Sequence, residues 1–176
     1  MICVKALSVF LFCLLLSTPL MAAPEVSSQC KVYAAVLDED PAGLNVRKSP
    51  GGAIIGTLPE QSSFTVVEIR GKWARVTDFE LPAGAERKDW PAYPKQDWGW
   101  VHTSLLGTFT RDLRTSFYSG PSEQSKQIVI EEEYELKILF LGCRGSWLNV
   151  RVPGKHKGPL WVKQEDTCPL AWTTCP

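Results

Sequence analysis

Histidine is nearly missing from this chain: His102 and His156 are the only two in 176 residues. That leaves little from which to build a histidine general base or a histidine-rich metal site. No G-x-S-x-G, H-E-x-x-H or glycine-rich phosphate loop occurs, which removes the commonest hydrolase, metalloprotease and nucleotide-binding signatures. The 19 acidic residues contain no spacing that singles out a glycosidase pair. A charge excess is also lacking, since 19 basic residues balance 19 acidic ones. No strong field favours nucleic acid, and no basic tail or helix suits a membrane surface. Beyond the N-terminus no window shows sustained apolar spacing at i, i+3, i+4 and i+7, so a long amphipathic helix is not expected.

The N-terminus has its own character. After Lys5 runs "ALSVFLFCLLL", Ala6 to Leu16, followed by "STPLMAA" with Pro19 and the small pair Ala22–Ala23. This is the order of a secretory signal peptide, assigned to residues 1–23. Eleven apolar residues rise only about 16 Å as a helix, against roughly 30 Å of hydrocarbon, so no stable membrane anchor is expected after cleavage. The mature chain is expected to be periplasmic or secreted.

Cys3 and Cys13 leave with that segment, and Cys30, Cys143, Cys168 and Cys175 remain. An even number in an exported chain reads as two disulfides, with three connectivities open. The pairing expected is Cys143 with Cys168, leaving Cys30 for Cys175. No pair has C-x₂₋₄-C spacing, which disfavours zinc, and paired cysteines supply no thiolate nucleophile. No metal, cofactor or catalytic residue is expected, and the chain does not read as an enzyme.

What is abundant is punctuation and strand: 13 Gly and 13 Pro separate short alternating runs. In "YELKILF" Tyr134, Leu136, Ile138 and Phe140 fall on one face, as in a half-buried antiparallel strand. The runs also repeat. "LNVRKSP" from Leu44 matches "TSFYSGP" from Thr115, Phe64 and Val66 align with Tyr134 and Leu136, Trp73 aligns with Trp147, and Trp100 with Trp161. The offsets are 71, 70, 74 and 61. On this reading the second copy lengthens its hairpin before Trp147, and the first carries an insertion at about 77–97.

The order L-N-V-R-x-x-P, then a φ-x-V strand, then W-x-x-V, then G-W-V-x-x-x-L-L resembles the bacterial SH3 (SH3b) domain. The match is close from Leu44 to Leu106 and weaker from Leu113 to Cys168, where Tyr118 replaces Arg47 and Pro159–Leu160 replaces Gly99 before the Trp. Exported tandem proteins of this kind look similar, including a Cys just ahead of the second W-x-x-V strand, where Cys143 stands. The resemblance implies an all-β fold: two small SH3-like barrels, at 24–108 and 109–168, before a tail at 169–176.

It also gives a place to look for a ligand. In "DWGW" the side chains of Trp98 and Trp100 leave a strand on the same face, and Gly99 permits a close approach by a strand or a ligand backbone. Trp73 lies on the neighbouring W-x-x-V strand. Two adjacent indoles make a platform suited to peptides or sugars. In the insertion, Pro82, Pro91 and Pro94 stiffen a loop that would bring Trp90 and Tyr93 to the platform's rim, with Arg87 to meet a carboxylate. The expected partner is peptidoglycan or a peptide, or alternatively an envelope or extracellular protein.

Overall fold

A computed structural model describes residues 27–170; the signal segment and Cys175 lie outside the described residues. The protein is all-β. Its strands are β1 (Ser27–Val36), β2 (Leu44–Arg47), β3 (Ile54–Leu58), β4 (Ser63–Arg70), β5 (Trp73–Glu80), β6 (Trp98–His102) and β7 (Leu106–Thr110). They continue as β8 (Arg114–Tyr118), β9 (Gln127–Glu131), β10 (Lys137–Arg144), β11 (Trp147–Arg151), β12 (Leu160–Lys163) and β13 (Thr167–Cys168). Single 3-10 turns occupy Arg87–Asp89, Thr103–Leu105 and Gln164–Asp166. No helix among the described residues is long and apolar enough to cross a membrane.

The hydrogen-bonded order is β3-β2-β6-β5-β4-β1-β7-β10-β11-β12-β8-β9, with β13 added to β7. Read outward from the central β1–β7 pair, each side has the same sequence of partners. The matching ladders give the register of the repeat. Arg70 pairs with Trp73 across the Gly71–Lys72 turn, and Arg144 pairs with Trp147 across Gly145–Ser146. Both hairpins therefore turn in two residues, and the second is not lengthened before Trp147. Phe64 corresponds to Ile138 rather than Tyr134, and Val66 to Phe140 rather than Leu136. The extra residues of the second run precede β10. Tyr134 stands in that connection, 68% exposed, and the strand begins only at Lys137.

Alternation builds the core. In β5, Ala74 and Val76 point inward while Trp73 and Arg75 point out; in β10, Ile138 and Phe140 are buried and Lys137 is not. The inward side chains of both runs, from Val32 and Phe64 to Phe117, Phe140 and Val162, form one contiguous cluster. At roughly 25 cal/mol per Å² of apolar area removed from water, this cluster is the main stabilising contribution.

The disulfide differs from the expected pairing. Cys30 of β1 is joined to Cys143 of β10, 113 residues later, so neither Cys143–Cys168 nor Cys30–Cys175 forms. The reason lies in the backbone. Cys30 bridges in parallel to Gly145, Lys31 N donates to Gly145 O at 3.0 Å, and Gly145 N donates to Gln29 O at 3.1 Å. The tip of the β10–β11 hairpin thus lies along β1, which places Cys143 beside Cys30. Cys168 is disulfide-bonded as well.

Candidate functional site

One outer face carries an unusual concentration of arginine and tryptophan. In the antiparallel ladder Trp73 opposes His102, Arg75 opposes Trp100, and Thr77 opposes Trp98. Directly opposed residues project to the same side, so all six share that face. Arg47 of β2 opposes Trp100 from the other flank, and Arg70 opposes Trp73. The expected trio of Trp73, Trp98 and Trp100 is therefore brought together.

The indoles do not stand bare. The guanidinium carbon of Arg47 lies 5.8 Å from the Trp73 ring centre, that of Arg70 lies 5.0 Å from Trp100, and that of Arg75 lies 5.6 Å from Trp98. Each arginine leans diagonally past its direct partner onto the next ring, giving an interleaved ladder of cations and π-faces. Trp100, only 6% exposed, is buried without joining the core cluster, and Trp73 and Trp98 are half-buried. His102 packs edge-on against Trp73 at 5.3 Å. Glu68 neutralises Arg70 at 2.9 Å. Among the described residues, Arg47 and Arg75 have no ion-pair partner.

Gly99 is explained by the strand beside it. A Cβ there would collide with Val46 Cγ1 and come within 3.2 Å of Arg47 O. The close approach is made by β2, and it is what brings the Arg47 side chain against the platform.

The insertion takes a different place from the one expected. Trp90, Tyr93 and Arg87 fold back onto the first run of strands instead of reaching the rim of the platform. The Trp90 indole N–H donates to Thr57 O at 2.9 Å and to Thr57 Oγ1 at 3.0 Å. Ala92 O accepts from Thr57 N at 2.8 Å, so the loop covers the free edge of β3. Tyr93 packs edge-on against Phe79 and donates its hydroxyl proton to Phe79 O at 3.2 Å. Burial raises the Tyr93 phenol above its usual value, opposed by the Arg87 guanidinium 4.7 Å from its ring. Arg87 is itself paired with Asp97 at 3.0 Å. Between this loop and β3 lies a groove of about 480 Å³ lined by Ile54, Ile55, Pro91 and Tyr93.

Sequence reasoning missed Arg47, Arg70 and Arg75. A signal was present: in "RGKW" Arg70 and Trp73 flank a two-residue turn, which makes them cross-strand partners, and Arg75 follows Trp73 at strand period. No group of three or more His, Cys, Asp or Glu side chains placed to hold a metal occurs among the described residues.

No protein-family model matches the chain, and no curated protein matches it. Among solved structures, NlpC2 from Trichomonas vaginalis is similar at a TM-score of 0.30 and 13% identity, over 79% of this chain and 48% of that one. The chain thus spans about half the length of that structure.

Proposed function

We propose that this protein is an exported, non-catalytic recognition module, a tandem SH3b pair at 24–108 and 109–168, that binds carboxylate-bearing cell-wall material on its arginine–tryptophan face. The observation that carries this reading is the pair of cations without counter-ions. Arg47 and Arg75 are stacked over Trp73 and Trp98 yet meet no carboxylate among the described residues. Arg47 Nη1 donates to Gly52 O at 2.7 Å, which fixes that guanidinium, and a ligand carboxylate at the remaining edge donors of the two arginines completes the charge. Peptidoglycan stem peptides supply carboxylates along an extended chain whose apolar groups fit between indoles.

The test is co-sedimentation of the mature protein with purified sacculi. The wild type should sediment, and the Arg47→Ala/Arg75→Ala pair should lose at least tenfold in affinity, one charge-assisted hydrogen bond being worth roughly 1.5–3 kcal/mol. Absence of sedimentation, or an unaffected double variant, overturns the reading.

One observation favours the rival, a periplasmic or extracellular protein partner. β9 ends the sheet with Val129 exposed. Lys126 O and Glu132 N are taken by the β8 side, so the backbone groups of Gln127, Val129 and Glu131 alternate outward, as an added strand requires. An affinity capture that recovers one stoichiometric protein and no murein would choose it.

A further inference from the structure

The two runs of strands carry corresponding indoles in different electrostatic surroundings. Trp147 corresponds to Trp73, since each opens the strand after its hairpin turn. Trp161 corresponds to Trp100, since each stands opposite the residue two positions after that first Trp, Asn149 and Arg75 respectively. Two of the three residues that supply guanidinium groups in the first run are changed, while Arg144 stands for Arg70 opposite Trp147. Tyr118 stands for Arg47 opposite Trp161, and Asn149 stands for Arg75. Tyr118 meets Trp147 edge-on at 5.1 Å, and no cation stands over Trp147 among the described residues. Arg144 and Lys163 oppose Trp147 from its two flanks, so the stacked ladder is lost while cations remain beside the indole.

Trp147 instead lines a cleft of about 490 Å³, within the range of small-ligand sites. Tyr33 of β1 forms another part of its wall. The formal charges in the lining balance, with Arg111 and Lys163 against Glu123 and Glu165 in number, although only Lys163 is paired with those carboxylates. Lys163 Nζ lies 2.5 Å from Glu123 and 3.3 Å from Glu165, which occupies the ammonium and both carboxylates with one another. The polar wall is also held in place. Tyr33 N donates to Gln164 Oε1 at 2.6 Å, and Gln164 N donates to Ser146 O at 2.9 Å.

Such a lining selects by charge. An anionic ligand would be set against Glu123 and Glu165, and a cationic one against Lys163 and Arg111. An apolar ligand would leave paired charges desolvated without compensation. A neutral ring with a C–H face for the indole and hydroxyls for fixed polar groups satisfies all three requirements. We propose that this cleft is a second binding site, taking an uncharged pyranose ring of an oligosaccharide against Trp147. It is separate from the arginine–tryptophan face and does not depend on a ligand binding there.

The experiment is a titration of the mature protein with N-acetylchitotetraose, followed by indole N–H and backbone amide NMR shifts. Saturable shifts at Trp147, Lys163 and Gln164 are expected, with a Kd in the millimolar to high-micromolar range. Trp147→Leu should weaken binding at least tenfold, whereas Trp147→Phe, which keeps an aromatic face, should retain most of it. Tetragalacturonate, of the same length but anionic, should leave these signals unmoved. The proposal is overturned by no shift at Trp147, by shifts unaltered in a folded Trp147→Leu variant, or by equal binding of the anionic sugar. Tetraose binding without sedimentation on sacculi would leave this cleft standing and remove the stem-peptide reading; the reverse result would remove only the cleft.

Discussion

At Gly99 a single missing side chain sets the distance between two strands. Val46 is fully buried, so its Cγ1 cannot swing aside to admit a new methyl, and Arg47 O lies immediately behind it. Gly99→Ala should cost about 1–3 kcal/mol, the usual range for overpacking a tight core, read from the midpoint of urea unfolding. The variant should also shift the environment of Trp73, because Arg47 reaches that ring only through β2. The W-G-W spacing announced a close approach, since period two and a bare glycine are both local facts. Which strand approached was not legible, because Val46 lies 53 positions away and nothing local names the partner. A second residue gives a pH signature. Desolvation, then the charge of Glu165, raises the Asp166 carboxyl above its usual 3.8. The folded state therefore penalises the charged form, and the penalty disappears as pH falls below that ordinary value. Asp166→Asn should stabilise the protein at pH 7 and lose this advantage near pH 3, with paired denaturation curves at the two pH values as the check.

At the level of elements, the insertion works as a cover for an edge. β3 ends one side of the sheet, and an exposed strand edge is a template for aggregation. The chain from Trp90 to Pro94 closes it. A Cβ on Gly56 would lie 2.7 Å from Ala92 O and 2.7 Å from Pro94 Cα, so the loop rests directly on the strand. Removing the indole should release that loop. Trp90→Ala is expected to cost about 2 kcal/mol, less than a fully buried Trp because this one is half-exposed. It should also accelerate hydrogen exchange at the Thr57 amide, which hydrogen-bonds to Ala92 O; an unchanged Thr57 rate would show that the loop is held by other contacts. The aromatic and proline content of the insertion revealed a stiff, sticky segment, but the same residues serve a ligand or an edge equally well. The repeat was legible in a similar, partial way. Placing Phe64 on Tyr134 instead of Ile138 is a slip of four residues, and an even slip leaves every side chain on its proper face. Alternation alone cannot detect it. Only the ladder across the hairpin, fixed by Arg144 with Trp147, sets the register.

For the whole molecule, the all-β architecture could be read from punctuation and alternation, while the covalent cross-link could not. Four cysteines in sequence carry no distances, so nothing local chose among the three connectivities and the expected Cys143–Cys168 pairing had no spatial basis. The fold overrides this by laying the Gly145 turn against β1. The Cys30–Cys143 bond closes a separation of 113 residues, for which the loop-entropy model gives about 4.7 kcal/mol. That is an upper figure. Ser28 Oγ donates to Cys143 O at 2.9 Å, and the hydrogen bonds of Gln29 and Lys31 to Gly145 also hold β1 in place without the sulfurs. Cys30→Ser/Cys143→Ser is therefore expected to cost about 2–4 kcal/mol and to remain folded at 25 °C. Because this variant leaves Cys168 in its own disulfide, it isolates one bond, which general reduction would not. The form of its unfolding curve carries further information. The buried residues of both runs make a single cluster through β1, β7 and β10. Loss of the cross-link should then lower one cooperative transition, with tryptophan fluorescence and far-ultraviolet dichroism melting together. If the two runs were held chiefly by the sulfurs, the variant would instead melt in two steps, and the seam between β1 and β7 would be the first to open.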